Sequence, residues 1–173
     1  MKTQIFVGTY AKYNDGYISG AWLDICNYST AKELVEAMRD IHKDEEDPEY
    51  MIHDLEEHAE ALGIAEIDMG IEEWEEIYEA LEALEESHLD IDIVAAYCKN
   101  TGEPINSDSI REAEEAYQGE FDSDEDFAQE IAEQIGAVNH GASWPNNCID
   151  WEMAARDLMY DYFEMDGHYF RNF

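Results

Sequence analysis

The sequence predicts an α+β protein made of three small units in a row. Segments with helical periodicity alternate with short apolar runs that are typical of strands. Hydrophobic residues form 45% of the 173 residues and aromatic residues 12%, which is enough for buried cores despite the high charge. We expect an N-terminal α+β unit at 1–61, a central acidic and mostly helical unit at 62–103, and a C-terminal α+β unit at 104–173.

The N-terminal unit is predicted to contain a small antiparallel sheet. Gln4–Thr9 has the composition of a strand, and Tyr10–Tyr17 contains an Asn-Asp-Gly turn. Ile18–Ile25 is the expected second strand, so the chain opens with a hairpin-like unit. A third short strand is predicted at Tyr50–His53.

One helix is predicted between the second and third strands. Ser29 or Thr30 can cap its first turn, and its apolar periodicity continues to about Ile41. The charged segment Lys43–Glu49 contains a proline and is therefore expected to be a loop.

The central unit is dominated by an acidic helix predicted at Ile71–Glu86, where apolar residues recur every three or four positions. The wider segment Leu55–Leu89 is helical in pattern, with breaks near Gly63 and Gly70, and Ile91–Cys98 is expected to be a strand. The acidic helix has no Lys or Arg and carries eight glutamates: Glu72, Glu73, Glu75, Glu76, Glu79, Glu82, Glu85 and Glu86.

These glutamates make the helix costly in electrostatic terms. Eight like-charged pairs stand three or four residues apart, and each destabilises a helix by about 0.2–0.5 kcal/mol, or about 2–4 kcal/mol together. Burying six large apolar side chains at roughly 1.5–3 kcal/mol each outweighs this repulsion. The helix should therefore form, and its charge pattern indicates a role beyond folding.

The C-terminal unit is predicted to contain helices at Ser107–Gln118, Asp124–Ile135 and Trp151–Phe163. His140–Asn147 is expected to be a loop, and His168–Phe173 a final strand. A second acidic group lies around the start of the middle helix and comprises Asp122, Asp124, Glu125, Asp126, Glu130 and Glu133.

The net charge of −35 restricts the possible partners. No Lys or Arg occurs between Lys43 and Lys99, so the charge is not confined to an acidic tail. Such a surface repels nucleic acid and anionic membranes and attracts proteins with basic clefts. Three scattered cysteines, the lack of a leader pattern and the lack of a long apolar run predict a soluble cytoplasmic protein.

Three sequence patterns resemble metal-binding motifs, and each is incomplete. The acids from Asp122 to Glu133 match five liganding positions of an EF-hand loop, but Phe127 stands where that loop needs glycine. A capped helix start explains the same acids. Glu85 and His88 form a single Glu-x-x-His pair, and the His53 and His58 region lacks the HExxH order. No metal, cofactor or catalytic residue is predicted, and an enzyme is not expected.

Five short motifs resemble those of ArdA-type antirestriction proteins. The first spans Ile5–Gly16 and is followed by a Gly-Ala-Trp motif that ends at Trp22. The others are Tyr50–Asp54, Ser143–Pro145, and Ile149–Trp151 with Ala155–Leu158.

The resemblance implies an elongated homodimeric DNA mimic that occupies the DNA-binding groove of type I restriction-modification enzymes and protects incoming mobile-element DNA. It also implies that the motif residues around Tyr10, Trp22 and Trp144 are structural. The acids then bind the methyltransferase and specificity subunits in place of phosphates, with strong salt dependence. Three alternatives remain open: another DNA-binding target, a divalent-cation binder, or a protein adapted to high salt.

Overall fold

The structure is a computed structural model that describes residues 3–64 and 70–173, apart from the side chain of Glu57. Residue contacts divide the chain into two compact units, and the division into three units stays a prediction. The first unit comprises Met1–Ala95 with Glu103–Arg111, and the second comprises Ala96–Gly102 with Glu112–Phe173.

The first unit contains a three-stranded antiparallel sheet with β1 in the middle. β1 is Gln4–Thr9, β2 is Ala21–Asp24 and β3 is Tyr50–Leu55. Ile5 and Val7 on β1 are fully buried, because alternate residues of a strand face the same side of the sheet. One face of this sheet therefore forms part of the core.

Four α-helices of this unit lie between residues 10 and 87. They are α1 at Tyr10–Asn14, α2 at Ala31–Ile41, α3 at Glu57–Ala61 and α4 at Ile71–Ser87. The Thr30 hydroxyl accepts a hydrogen bond from the first turn of α2, as the cap prediction requires.

Two further helices are α5 at Ile91–Thr101 and α6 at Ser107–Ala116. The predicted strand at Ile91–Cys98 is wrong, because this run lies within α5. A short apolar run fits a buried helix as well as a strand, and periodicity alone does not separate the two. Val94 and Cys98 are buried four residues apart, which is the spacing of one helical face.

The second unit contains an antiparallel sheet with β6 in the middle. β4 is Tyr117–Glu120, β5 is Tyr162–Met165 and β6 is His168–Arg171. Two helices, α7 at Asp124–Gln134 and α8 at Trp151–Leu158, lie between β4 and β5 in the chain.

The core of the second unit is aromatic. The Phe127 and Tyr169 ring centroids are 4.6 Å apart, and those of Phe163 and Phe170 are 5.1 Å apart. Phe127, Tyr169 and Phe170 are buried. Aromatic pairs at these distances contribute packing energy beyond the area that they bury.

The predicted helices at Ser107–Gln118 and Trp151–Phe163 extend too far. Tyr117 and Phe163 instead belong to strands, and each pairs across the sheet with Phe170. Pairing with a distant strand overrides the local helical pattern at both positions.

The predicted α+β class is confirmed, with eight α-helices and two three-stranded antiparallel sheets in the described residues. The second strand is shorter than predicted and α1 occupies part of Tyr10–Tyr17. Residues 65–69 of the predicted helical segment Leu55–Leu89 lie outside the described residues. None of the helices described is both long and apolar enough to cross a membrane.

Candidate partner-binding surface

The acidic helix α4 has one buried side and one exposed side. An α-helix turns by about 100° per residue, so residues three or four apart share a side. The prediction for Ile71–Glu86 is confirmed, and the helix continues to Ser87. Its buried residues are Trp74, Ile77, Ala80, Leu84 and Ser87.

The exposed side of α4 carries a row of six glutamates, here named the carboxylate face. At about 100° per residue, these six lie within an arc of roughly 120°. They span about 21 Å of the axis at 1.5 Å per residue, which is one carboxylate per about 4 Å. Glu73 and Glu85 flank the arc and are also exposed. The carboxylate face consists of Glu72, Glu75, Glu76, Glu79, Glu82 and Glu86, all exposed.

The charge of the carboxylate face is not neutralised by an ion pair in the described part of the chain. α4 itself contains no Lys or Arg. The basic side chains that do form ion pairs contact acids outside α4, and they are Lys12, Lys32, Lys99, Arg111 and Arg156. The carboxylate face therefore remains available to a positively charged partner.

Burial holds α4 in place despite this repulsion. Trp74 is 2% exposed, and Tyr78 donates a hydrogen bond of 2.9 Å to the carbonyl oxygen of Ile25. Burial raises the pKa of the Tyr78 hydroxyl well above its ordinary value. Gly70 precedes the helix and provides no side-chain cap. Tertiary packing therefore substitutes for local capping at the start of α4.

The second acidic group begins at the capped N-terminus of α7. The Ser123 hydroxyl oxygen is 3.2 Å from the Asp126 amide nitrogen, which donates to it, and 2.8 Å from the Asp126 carboxylate, to which it donates. The helix dipole favours acids in this first turn. Because the chain is helical from Asp124 onward, this segment does not adopt the loop of an EF-hand.

Acids on α7 are engaged with other side chains, which distinguishes them from the carboxylate face. Burial, together with the hydrogen bond to Asp124, raises the pKa of Tyr169. Asp122 is exposed before the helix, and Glu125 is partly buried. The hydrogen-bonded pairs are Asp124 with Tyr169 at 2.7 Å, Glu130 with Gln134 at 3.1 Å, and Glu133 with His140 at 2.7 Å.

One group of potential metal ligands comes together among the described residues, and sequence reasoning missed it. It comprises His42, Asp44 and Glu45. The ammonium of Lys12 lies 2.9 Å from Asp44 and 3.2 Å from Glu45. The hydrogen bond between Lys12 and Asp44 raises the pKa of Lys12 and lowers the pKa of Asp44. A lysine thus already occupies the position where a cation would bind, and the group forms an internal ion-pair network.

The aromatic motif residues differ in their surroundings from the predicted structural role. Trp144 is 75% exposed, so it does not pack in a core of the described chain, and its structural role stays a prediction. Trp22 is 43% exposed and lies on the sheet face opposite the buried Ile5 and Val7. Tyr10 is partly buried at the start of α1, which agrees with a structural role.

An α+β protein that displays a row of uncompensated carboxylates attracts positively charged partners. A family model described as Antirestriction protein (ArdA) matches residues 5–171. The chain belongs to this ArdA antirestriction family, and the resemblance stated from its motifs is confirmed. Among curated proteins, no sequence matches the chain.

Proposed function

We propose that the protein carries out antirestriction as a DNA mimic that occupies the DNA-binding groove of type I restriction-modification enzymes. Membership of the ArdA family supplies the antirestriction function. The mimicry is our inference from the charge of the chain and its arrangement on α4, and the type I target is what the resemblance to ArdA-type proteins implies. No catalytic step and no cofactor are part of this proposal.

The observation that carries the proposal is the unneutralised carboxylate face of α4. Phosphates along one DNA strand are about 3.4 Å apart, and six carboxylates spaced about 4 Å apart come close to this density. A folding protein gains nothing from eight mutually repelling glutamates on one helix. A role in binding a basic groove explains why lysines do not alternate with them.

Binding would follow from long-range attraction between opposite charges. A groove that binds DNA places Lys and Arg side chains at positions that match phosphates, and carboxylates can occupy those positions. The interaction would weaken steeply as salt screens it, and it would need no base sequence. The proposed contacts are Glu72, Glu73, Glu75, Glu76, Glu79, Glu82, Glu85, Glu86, Asp122, Asp124, Glu125, Asp126, Glu130 and Glu133.

The proposed partner is the complex of methyltransferase and specificity subunits, which reads DNA in the cytoplasm. We further propose that the inhibitor is a homodimer, since two copies extend the anionic surface along the groove. Nucleic acid and membranes are not expected partners because a net charge of −35 repels both.

The proposal is tested by competition. A labelled DNA duplex bound to a type I methyltransferase is titrated with the protein at low and at high salt, and fluorescence anisotropy reports the released duplex. Because salt by itself weakens DNA binding, release is measured relative to the same complex without the protein at each salt concentration. We expect this additional release at low salt and progressively less of it as salt increases. A duplex that stays bound at low salt contradicts the proposal.

A second experiment tests the function in cells. Plasmid transfer is measured into a restricting host and an otherwise identical non-restricting host, each with and without the protein. The expected result is a rise in transfer only in the restricting host. A parallel titration of a nucleoid protein bound to the same duplex shows whether inhibition extends to other DNA-binding proteins.

A further inference from the structure

An open aromatic surface lies on the first sheet, on the side away from its buried residues. Phe6 pairs with Trp22 across β1 and β2, and their ring centroids are 5.6 Å apart in an edge-to-face arrangement. The His53 ring lies 6.1 Å from Phe6 and 5.4 Å from Tyr13. These four residues, Phe6, Tyr13, Trp22 and His53, are named the aromatic face.

The aromatic face depends on the small size of Gly8 on β1. A side chain at Gly8 would collide with the ring of His53, so the absence of a Cβ lets that ring lie over β1. The face is not covered by the rest of the described chain, because Trp22 is 43% and Tyr13 50% exposed. Large aromatic side chains exposed together in this way are typical of binding surfaces.

The electrostatic surroundings of the aromatic face select a cation. The three strands of the sheet contain no Lys or Arg. Asp54 lies across from Phe6 in the register of β1 and β3, and its side chain is exposed. Lys12 on the adjoining helix α1 is bound to Asp44 at 2.9 Å. Aromatic faces beside a carboxylate attract a guanidinium through both cation–π contact and charge.

We infer that the aromatic face binds an arginine side chain of a basic protein partner. This inference rests on the proposed function, which makes that partner a DNA-binding enzyme rich in Lys and Arg. Arginine fits better than lysine because its planar guanidinium stacks on aromatic rings while pairing with a carboxylate. A second copy of this chain is a poorer occupant even in a homodimer, because each copy has only nine Lys and Arg residues, and Arg111 and Arg156 already pair with acids of their own chain.

The first test compares two variants of the whole protein in the methyltransferase competition assay. Trp22→Thr removes the exposed indole at one end of the aromatic face but keeps a residue that favours strands. Phe173→Thr removes an exposed aromatic ring that is not part of the aromatic face, and it serves as the control. We expect Trp22→Thr to weaken competition about three- to thirty-fold. The control should stay within about twofold of the unmodified protein.

The second test uses the unmodified protein, so it does not depend on a variant folding. The indole N–H resonance of Trp22 is followed by NMR while Ac-Gly-Arg-Gly-amide is added, with Ac-Gly-Lys-Gly-amide as the equally charged control. We expect a saturable shift of the Trp22 resonance that is larger for the arginine peptide. Equal shifts for both peptides across all four Trp resonances would show diffuse attraction and overturn the inference.

The outcomes separate this inference from the proposed function. If the unmodified protein competes with DNA and Trp22→Thr competes equally well while folded, the inference is wrong and the proposed function stands. If the unmodified protein does not compete at all, the proposed function fails, and the peptide titration alone decides whether arginine binds. A change in oligomeric state on Trp22→Thr, measured by sedimentation, assigns the face to a second copy and overturns the inference.

Discussion

Two acidic helices of this protein use their carboxylates in opposite ways. On α4, residues Ile71–Ser87, the carboxylate face has no hydrogen-bond or ion-pair partner among the described residues. On α7, Asp124 binds Tyr169, and Ser123 caps the first turn through Asp126. The acids of α7 therefore contribute to the stability of their own unit, whereas those of α4 oppose it.

This difference shows that acid content alone does not identify a binding surface. The helix dipole stabilises acids in the first turn, and α7 places three of them there. α4 continues its acids to Glu85 and Glu86 in the last turn, where the dipole makes them unfavourable and no basic residue compensates. Acids that cost stability and find no partner are the better candidates for contact with another protein.

The largest expected effect is a loss of stability when the packing that holds α4 in place is removed. Trp74→Ala should lower the free energy of unfolding by about 3–5 kcal/mol, because Trp74 is buried and the helix has no side-chain cap. Phe127→Ala is the matched change in α7, with an expected loss of similar size. Urea denaturation measures both, and hydrogen exchange shows whether α4 alone loses protection in the Trp74 variant.

The salt dependence of stability provides a second comparison of the two helices. Added salt screens the repulsion among the α4 glutamates and should recover part of the stability lost in Trp74→Ala. Phe127→Ala should recover less, because acids on α7 are paired. Equal recovery in both variants would contradict the view that the two helices differ in electrostatic cost.

The next effect comes from neutralising each helix. The α4 variant should be stabilised by about 2–4 kcal/mol, because its four substitutions take part in all eight like-charged pairs. The α7 variant should change by less than about 1 kcal/mol, because the lost dipole interaction of Asp126 is offset by relief of the repulsion of Glu130 with Asp126 and with Glu133. The α4 variant carries Glu75→Gln, Glu76→Gln, Glu79→Gln and Glu82→Gln, and the α7 variant carries Asp122→Asn, Asp126→Asn, Glu130→Gln and Glu133→Gln.

Both variants lose four negative charges, so they are matched for net charge in the competition assay. We expect the α4 variant to compete at least about tenfold less well at low salt despite its higher stability. The α7 variant should also weaken, since its acids are among the proposed contacts. Unchanged competition by the α4 variant would remove this helix from the mechanism.

Strong helical periodicity made α4 predictable, and weak periodicity made α5 unpredictable. The pattern at Ile71–Glu86 has six apolar residues at helical spacing, so its boundaries agree with α4 within one residue. Ile91–Cys98 is a short apolar run that fits a strand as well as a buried helix, and it forms part of a helix. Tyr117 and Phe163 pair with Phe170, which no local pattern encodes.

The positions of the acids were predictable, but their availability was not. Which carboxylates are free depends on contacts with residues far along the chain. Tyr169 lies 45 residues from Asp124, and His140 lies seven residues from Glu133. The aromatic face likewise requires the register of three strands, which places Phe6 beside Trp22 and His53.

A smaller effect concerns Tyr78, which joins α4 to the carbonyl of Ile25. Tyr78→Phe should lower the free energy of unfolding by about 1 kcal/mol through the lost hydrogen bond. In the unmodified protein, burial raises the pKa of Tyr78 in the folded state. Stability should therefore stay constant with respect to this group below about pH 10, where an unfolded tyrosine ionises, and fall as the pH rises further.

Tyr169 contributes in the same direction, because its pKa is also raised. Urea denaturation across alkaline pH, with tyrosinate absorbance as a second signal, should show a steeper loss in the unmodified protein than in Tyr78→Phe. A double variant, Tyr78→Phe with Tyr169→Phe, should be the least sensitive to pH. Identical pH profiles for all three proteins would contradict the assignment.

The smallest effects test capping, which α7 has and α4 lacks. Ser123→Ala should destabilise α7 by about 1 kcal/mol, since the Asp126 amide loses its acceptor, and Ser123→Gly should cost only a few tenths. Gly70→Ser offers α4 a cap at a residue with extended backbone, φ −74° and ψ 173°, and should stabilise it by about a few tenths of a kcal/mol. A Cβ at Gly70 would lie 2.7 Å from Glu73 Oε2, so the exposed Glu73 side chain must move aside. The six glutamates of the carboxylate face stay in place, so competition with DNA should change little. A loss of competition in this variant would mean that the start of α4 itself contacts the partner. The absence of a capping side chain at Gly70 would then be part of the binding surface and would not be explained by the packing of the helix alone.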